Sequence, residues 1–273
     1  RDELQRFDPH ISTDRIHIVG TPQFDPYADH ALLWSRQQFF EMIGADPARP
    51  LICYSSGEPS NSPEDQDHTA LLLDLIRQGR IRGNPQVLLR PTPTVDASRF
   101  ADLRQRFPEL IYPRPAWVPV REDVCFLANL AHHADVNVNV ASTMTLDFAI
   151  HNRPVVNVAF DIANPGPFKH PLWEYYYRFE HYRPVVDTDA ALFSRSAEQF
   201  ADHVNAYLAN PRLHEENRRR LLDIELGVPV GLASRSIVDA LEKIALEKTA
   251  GSRGRAADAG VGRPGRSAAE RDT

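Results

Sequence analysis

Short, largely apolar runs alternate along this chain with longer stretches in which apolar positions recur every three or four residues. The runs fall at 51–54, 86–89, 109–112, 136–140 and 154–159, and their Val, Ile and Leu show little in–out alternation. Such runs are the mark of strands buried on both faces. Helical spacing fills the gaps, over 66–78, 97–106, 122–131 and 143–150. Ahead of this series the pattern predicts a strand over 15–20, ended by Gly20-Thr21-Pro22. It also predicts a helix over 29–43 with Leu32, Leu33, Phe39, Phe40 and Ile43 on one face and Gly44 as its stop. Behind it, a sixth strand is expected over 183–186 and closing helices over 197–208, 211–222 and 234–247.

Strands that alternate with helices imply right-handed crossovers and a parallel sheet covered on both faces. The fold class expected is therefore α/β: one doubly wound, Rossmann-like parallel sheet with extra C-terminal helices. No internal repeat interrupts it. With 273 residues and 42% hydrophobic content, the chain can bury one sizeable core.

Composition then removes several classes. No apolar run approaches the roughly 20 residues needed to span a bilayer, and no signal peptide opens the chain. Cys53 and Cys125 are the only cysteines, too few for a disulfide framework, which fits a reducing cytoplasmic setting. A formal charge of −6 argues against a nucleic-acid partner. The segment 249–273 is rich in Gly, Ala, Ser and Arg without apolar periodicity and is expected to be a disordered tail. Its five Arg against three acidic residues give a net +2, leaving −8 for 1–248. The chain opens on Arg1, not Met, and reads as a fragment or processed product.

Function is written most clearly in 134–160. A buried strand leads to the hydroxyl-bearing turn at Ser142 and Thr143, a short helix, and a second buried strand from Pro154. That turn puts a helix N-terminus at the carboxyl ends of parallel strands, where open α/β sheets bind nucleotides and phosphates. Ser142 and Thr143 are candidates for a diphosphate site, with simple helix capping as the other reading. Asp147, one turn further on, is a natural acceptor for ribose hydroxyls, or else an exposed residue near Arg153. Arg90 ends a predicted strand at a Pro-Thr-Pro turn, where a guanidinium can hold a diphosphate bidentately; the alternative is a pairing with Asp96 or Asp102. Ser55, Ser56 and Gly57 end the strand at 51–54 and form either a close-approach turn for a donor or an ordinary loop. Neighbouring His132 and His133 point about 100° apart on a helix and find no third ligand at a suitable spacing, so no metal is expected. Asn137 and Asn139 share one face of an apolar strand and need buried partners.

The order of these motifs resembles the C-terminal, donor-binding half of GT-B glycosyltransferases, most of all the CDP-glycerol glycerophosphotransferases and capsule polysaccharide transferases. The nonhydrolysing UDP-GlcNAc 2-epimerases share that architecture. The likeness spans about 16–247. Val19-Gly-Thr-Pro-Gln-Phe-Asp25 resembles the Gly-x-Pro-x-x-Asp that introduces this half. Val87-Leu-Leu-Arg-Pro-Thr-Pro93 resembles a strand ending in Arg-Pro-His-Pro, and Ser142-Thr-Met-Thr-Leu-Asp147 resembles Ser-Ser-x-x-x-Asp. Thr92 stands where the family has His, so that imidazole's phosphate contact is missing or supplied elsewhere.

The resemblance implies an enzyme that transfers a glycosyl or glycerophosphoryl group from a nucleotide-linked sugar or alditol donor to a glycan or lipid-linked acceptor. Surface polysaccharide or cell-envelope synthesis is the implied setting, in the cytoplasm or at the inner face of the membrane, with peripheral membrane association. No cofactor is implied, because arginine and helix amides can neutralise the diphosphate. In the family the segment after the third strand lines the nucleobase, which here names Trp117 and Val118. His181, in the aromatic connection 161–183, is a further donor-contact candidate. Residues 21–248 form the expected donor domain and 1–20 the lead-in from a missing N-terminal domain, which in this family supplies acceptor and base. The catalytic residue is not visible. The rival expectations are a 2-epimerase-like enzyme and a silent nucleotide-sugar-binding domain.

Overall fold

A computed structural model describes residues 1–60, 62–113, 120–163 and 171–259. Five strands form one parallel sheet: β1 (Leu51–Ser55), β2 (Gln86–Arg90), β3 (Val136–Asn139), β4 (Val155–Val158) and β5 (Leu192–Ser194). Their spatial order is β2-β1-β3-β4-β5. The chain runs outward from β1 to β2, then returns to the other side of β1 to lay down β3. This reversal opens a crevice between the carboxyl ends of β1 and β3.

Eleven α-helices are present among the described residues: α1 (Asp2–Phe7), α2 (Arg36–Ile43), α3 (Asp65–Arg77), α4 (Ala101–Arg106), α5 (Arg121–His133), α6 (Met144–Ile150), α7 (Leu172–Tyr176), α8 (Arg183–Asp187), α9 (Ala197–Ala209), α10 (Glu215–Leu226) and α11 (Ala233–Ala259). Successive strand residues point to opposite faces, and both faces are covered. Ile52, Tyr54, Val87, Leu89, Val136 and Val138 pack with α3, α4 and α9. Leu51, Cys53, Leu88 and Val155 pack with α2, α5, α6, α8 and α10. The expected doubly wound α/β fold is the one observed. Both cysteines are buried and free. No helix among the described residues is long and apolar enough to cross a membrane.

Several elements differ from the sequence reading. The segment 16–20 is not a strand: it runs outside the sheet, where Ile18 packs against the turn at Gly227 that ends α10. The helix expected over 29–43 splits. A short 3-10 turn (His30–Leu32) precedes α2, which starts late because Ser35 and Gln38 form a reciprocal capping box there. The strand expected over 109–112 contributes one residue: Ile111 bridges Leu88 at the outer edge of β2, between Pro108 and Pro113. Residues 183–186 form α8, with Pro184 in its first turn where a missing N–H costs nothing. The remaining strand is β5, whose three residues are too short to register as an apolar run. Finally, α11 continues to Ala259, past the boundary drawn at 249; alanine's helix propensity favours this extension.

The 3-10 segment Pro22–Ala28 lies against the carboxyl side of the sheet. Its Phe24 and Tyr27 form a small cluster with Ala128 of α5 and Leu226 of α10. Asp25 accepts from the Ala233 and Ser234 amides at 3.0 and 2.7 Å, fixing the segment to the start of α11.

Candidate functional site

The crevice between β1 and β3 opens into a cavity of about 490 Å³. One flank is the end of β1 and the turn after β2: Ser55, Ser56, Gly57, Glu58, Arg90, Thr92 and Pro93. The other is the turn after β3 and the first residues of α6: Val140, Ala141, Ser142, Thr143, Met144 and Asp147. Gln23 and Tyr27 of the 3-10 segment close one side.

Each flank is held by its own polar network. On the β1 flank, the Ser56 amide donates to the Arg90 carbonyl at 3.0 Å, and the Thr92 amide donates to Ser56 Oγ at 3.1 Å. Beneath the turn, Asp65 accepts from Tyr54 Oη at 2.8 Å, the Gly57 amide at 2.8 Å and Ser62 Oγ at 2.6 Å. The Arg99 guanidinium stands 3.9 Å away and donates to the Ser62 carbonyl at 2.9 Å. Burial pushes the Asp65 carboxyl up to about 6, while its donors and Arg99 pull the other way.

On the β3 flank, buried asparagines form a ladder across three strands. Asn137 Nδ2 donates to Ser55 Oγ at 2.7 Å, and Asn139 Nδ2 to Asn137 Oδ1 at 2.8 Å. Asn157 Nδ2 donates to Asn139 Oδ1 at 2.8 Å and to Tyr182 Oη at 2.7 Å. Asn139 Oδ1 also accepts from the Ser142 amide at 3.0 Å, which sets the turn at the head of α6. Asp147 is buried, and its Oδ1 accepts a hydrogen bond from the Tyr27 hydroxyl. Burial raises the Asp147 carboxyl, opposed by Tyr27 and by the positive charge of Arg90. Arg90 and Asp147 thus place a cation and an acceptor on the wall of one cavity.

No protein-family model and no curated protein matches the chain. Solved structures do. The wall teichoic acid polymerase TagF aligns over 90% of this chain and 56% of its own, at 16% identity and a TM-score of 0.56. A TagF variant soaked with CDPG aligns over 91% and 55%, at 15% identity and 0.55. A UDP-N-acetylglucosamine 2-epimerase aligns over 88% and 54%, at 13% identity and 0.52. The chain has a GT-B-type fold. It spans about half the length of the structures it matches.

Within this GT-B-type frame, Arg90, Ser142, Thr143, Asp147, Ser55, Ser56 and Gly57 all line the one cavity. Thr92 lines it too. The competing reading of Asp147 as an exposed residue near Arg153 fails: Asp147 is 7% exposed, and Arg153 Nε donates to the His132 carbonyl at 2.8 Å. Asp96, considered as a partner for Arg90, caps the turn Ala97–Phe100 by accepting from the Ser98 amide. His181 is not brought to the cavity. It is exposed and tilted on Phe179, with ring centroids 5.5 Å apart. Its neighbour Tyr182 takes the inward position. Trp117 and Val118 lie outside the described residues.

The head of α6 differs in detail from the anion trap expected there. Ser142 Oγ accepts from the Met144 amide at 3.2 Å, and the Thr145 and Leu146 amides bond the Ser142 and Thr143 carbonyls at 3.0 and 2.9 Å. Among the described residues this leaves the Thr143 amide without such a partner. The first amides of α6 are thus engaged within the protein. Sequence reasoning missed Tyr27, Asp65, Asn157 and Glu64, whose carboxylate accepts from the Ile162 and Ala163 amides at 2.9 Å each. A Tyr two residues after the Asp of Gly-x-Pro-x-x-Asp, and an Asp opening a helix just after a polar loop, were the signals available.

Proposed function

We propose that this chain is the donor-binding half of a nucleotide-diphosphate-dependent transferase that moves a glycosyl or glycerophosphoryl group in surface polysaccharide or cell-envelope synthesis. One observation carries the reading: the strand-order reversal brings Arg90, Ser142, Thr143 and Asp147 into a single cavity. A transfer of this kind needs its diphosphate leaving group held and its charge neutralised. Arg90 supplies the charge and a bidentate fork, and the Ser142 and Thr143 hydroxyls supply donors. Asp147 accepts from ribose, and the turn Ser55–Gly57 lets backbone approach the transferred group. Trp117 and Val118 are proposed to line the base.

In this reading the acceptor hydroxyl and the base that takes its proton come from a second half, in keeping with a chain that spans about half the length of its structural matches. Residues 21–248 are the donor domain, working in the cytoplasm beside the membrane. A thermal-shift panel of UDP-, CDP-, GDP- and TDP-linked donors tests the reading. At 100 times its dissociation constant, a matching donor stabilises by about 2.7 kcal/mol; no shift with any nucleotide refutes it. Thr92 in the cavity, in place of an imidazole, favours one second reading, a binding domain without turnover. Donor binding with no transfer by the full-length protein supports that alternative.

A further inference from the structure

Tyr27 is built into the cavity rather than draped over it. Its ring lies between Phe24, with centroids 5.8 Å apart, and His151, at 5.5 Å, one helical turn beyond Asp147. Its backbone is anchored two residues earlier, where Asp25 grips the head of α11. Tyr27 and Asp147 are both buried, both line the cavity, and are joined by a hydrogen bond from phenol to carboxylate.

The chemistry of that pair is specific. An ionised carboxylate only accepts hydrogen bonds, and a vicinal diol such as the ribose 2′,3′ pair offers two O–H donors. Here Tyr27 already donates to Oδ1, and its phenolic oxygen stands beside the carboxylate as a further acceptor on the same cavity wall. A hydroxyl that donates to a carboxylate keeps its lone pairs and becomes a better acceptor through polarisation.

Building on the donor-site reading above, we propose that Tyr27 is a specificity-determining residue that accepts one hydroxyl of the ribose diol while Asp147 accepts the other. The site then reads ribonucleotides against deoxyribonucleotides at both positions. A residue that merely packed the cavity wall would leave that discrimination untouched.

Calorimetric titrations with CDP and UDP, their 2′-deoxy and 3′-deoxy forms, and pyrophosphate separate these cases. For the wild type, removal of either hydroxyl weakens binding about tenfold, because a site acceptor is left unpaired. Tyr27→Phe loses the preference at one hydroxyl and retains pyrophosphate affinity. Asp147→Asn preserves an acceptor for Tyr27 but turns the other acceptor into a donor, so it loses the preference at the other hydroxyl. Wild-type protein that binds CDP or UDP yet tolerates both deoxy forms within about twofold overturns the assignment, whatever the variants do. So does a Tyr27→Phe protein with both preferences intact, or loss of the same hydroxyl's preference in both variants. In those outcomes the donor-site reading stands. Failure of the wild type to bind any of the nucleotides removes both.

Discussion

Two buried carboxylates flank the cavity, and each takes a hydroxyl from a tyrosine, yet they do different work. Asp65 sits on the β1 flank with Tyr54, Ser62, the Gly57 amide and Arg99 around it. Its acceptor capacity is spent within the protein, and it is absent from the cavity wall. Asp147 sits on the β3 flank, where it accepts from Tyr27, feels the charge of Arg90, and lines the cavity. Burial raises both carboxyls. What separates the braced carboxylate from the one proposed to bind ligand is the number of partners already satisfied, not depth or titration.

Exchange of each carboxylate for alanine sharpens the contrast. Asp65→Ala strands the Gly57 amide, two hydroxyls and the Arg99 charge, and is expected to cost about 3 kcal/mol in denaturant unfolding. Asp147→Ala loses one hydroxyl partner and is expected to cost about 1 kcal/mol, with its larger effect on nucleotide affinity. Equal destabilisation by the two would break the comparison.

A smaller effect comes from pH. A carboxyl whose folded-state value lies above its unfolded one binds its proton more readily in the native state. Stability tied to it is therefore fullest below about pH 4 and declines as pH climbs through about 6. Wild-type protein should lose about 1 kcal/mol relative to Asp65→Asn between pH 5 and pH 7, measured by urea unfolding. A flat difference would mean that Asp65 is ionised throughout.

The same contrast explains what the chain revealed before its structure was known. The sheet, both helical layers and the residues Arg90, Ser142, Thr143 and Asp147 were legible because each signal is local: an apolar run, a turn, a hydroxyl before a helix. Tyr27 and Asp147 are 120 positions apart, and the ladder from Ser55 through Asn137 to Asn157 crosses three strands. No spacing encodes such pairings; they exist only once the strand order brings the ends of β1, β3 and β4 side by side. Local signals also failed where length decided. Residues 183–186 have strand-like chemistry, but Pro184 suits the first turn of α8, and the three residues of β5 gave no run to read. His181 looked like a donor contact because it follows an aromatic stretch; the chain there turns Tyr182 inward and leaves the imidazole outside.

Everything functional rests on the cavity being a diphosphate site with Arg90 as its cation. The most direct test is calorimetric titration of the wild type and of Arg90→Met with CDP and UDP. The account predicts measurable binding of at least one nucleotide by the wild type. It predicts that Arg90→Met weakens this binding by about 30-fold or more, the worth of a charge-assisted bidentate contact. Affinity that survives the loss of the guanidinium, or a wild type that binds neither nucleotide, contradicts it.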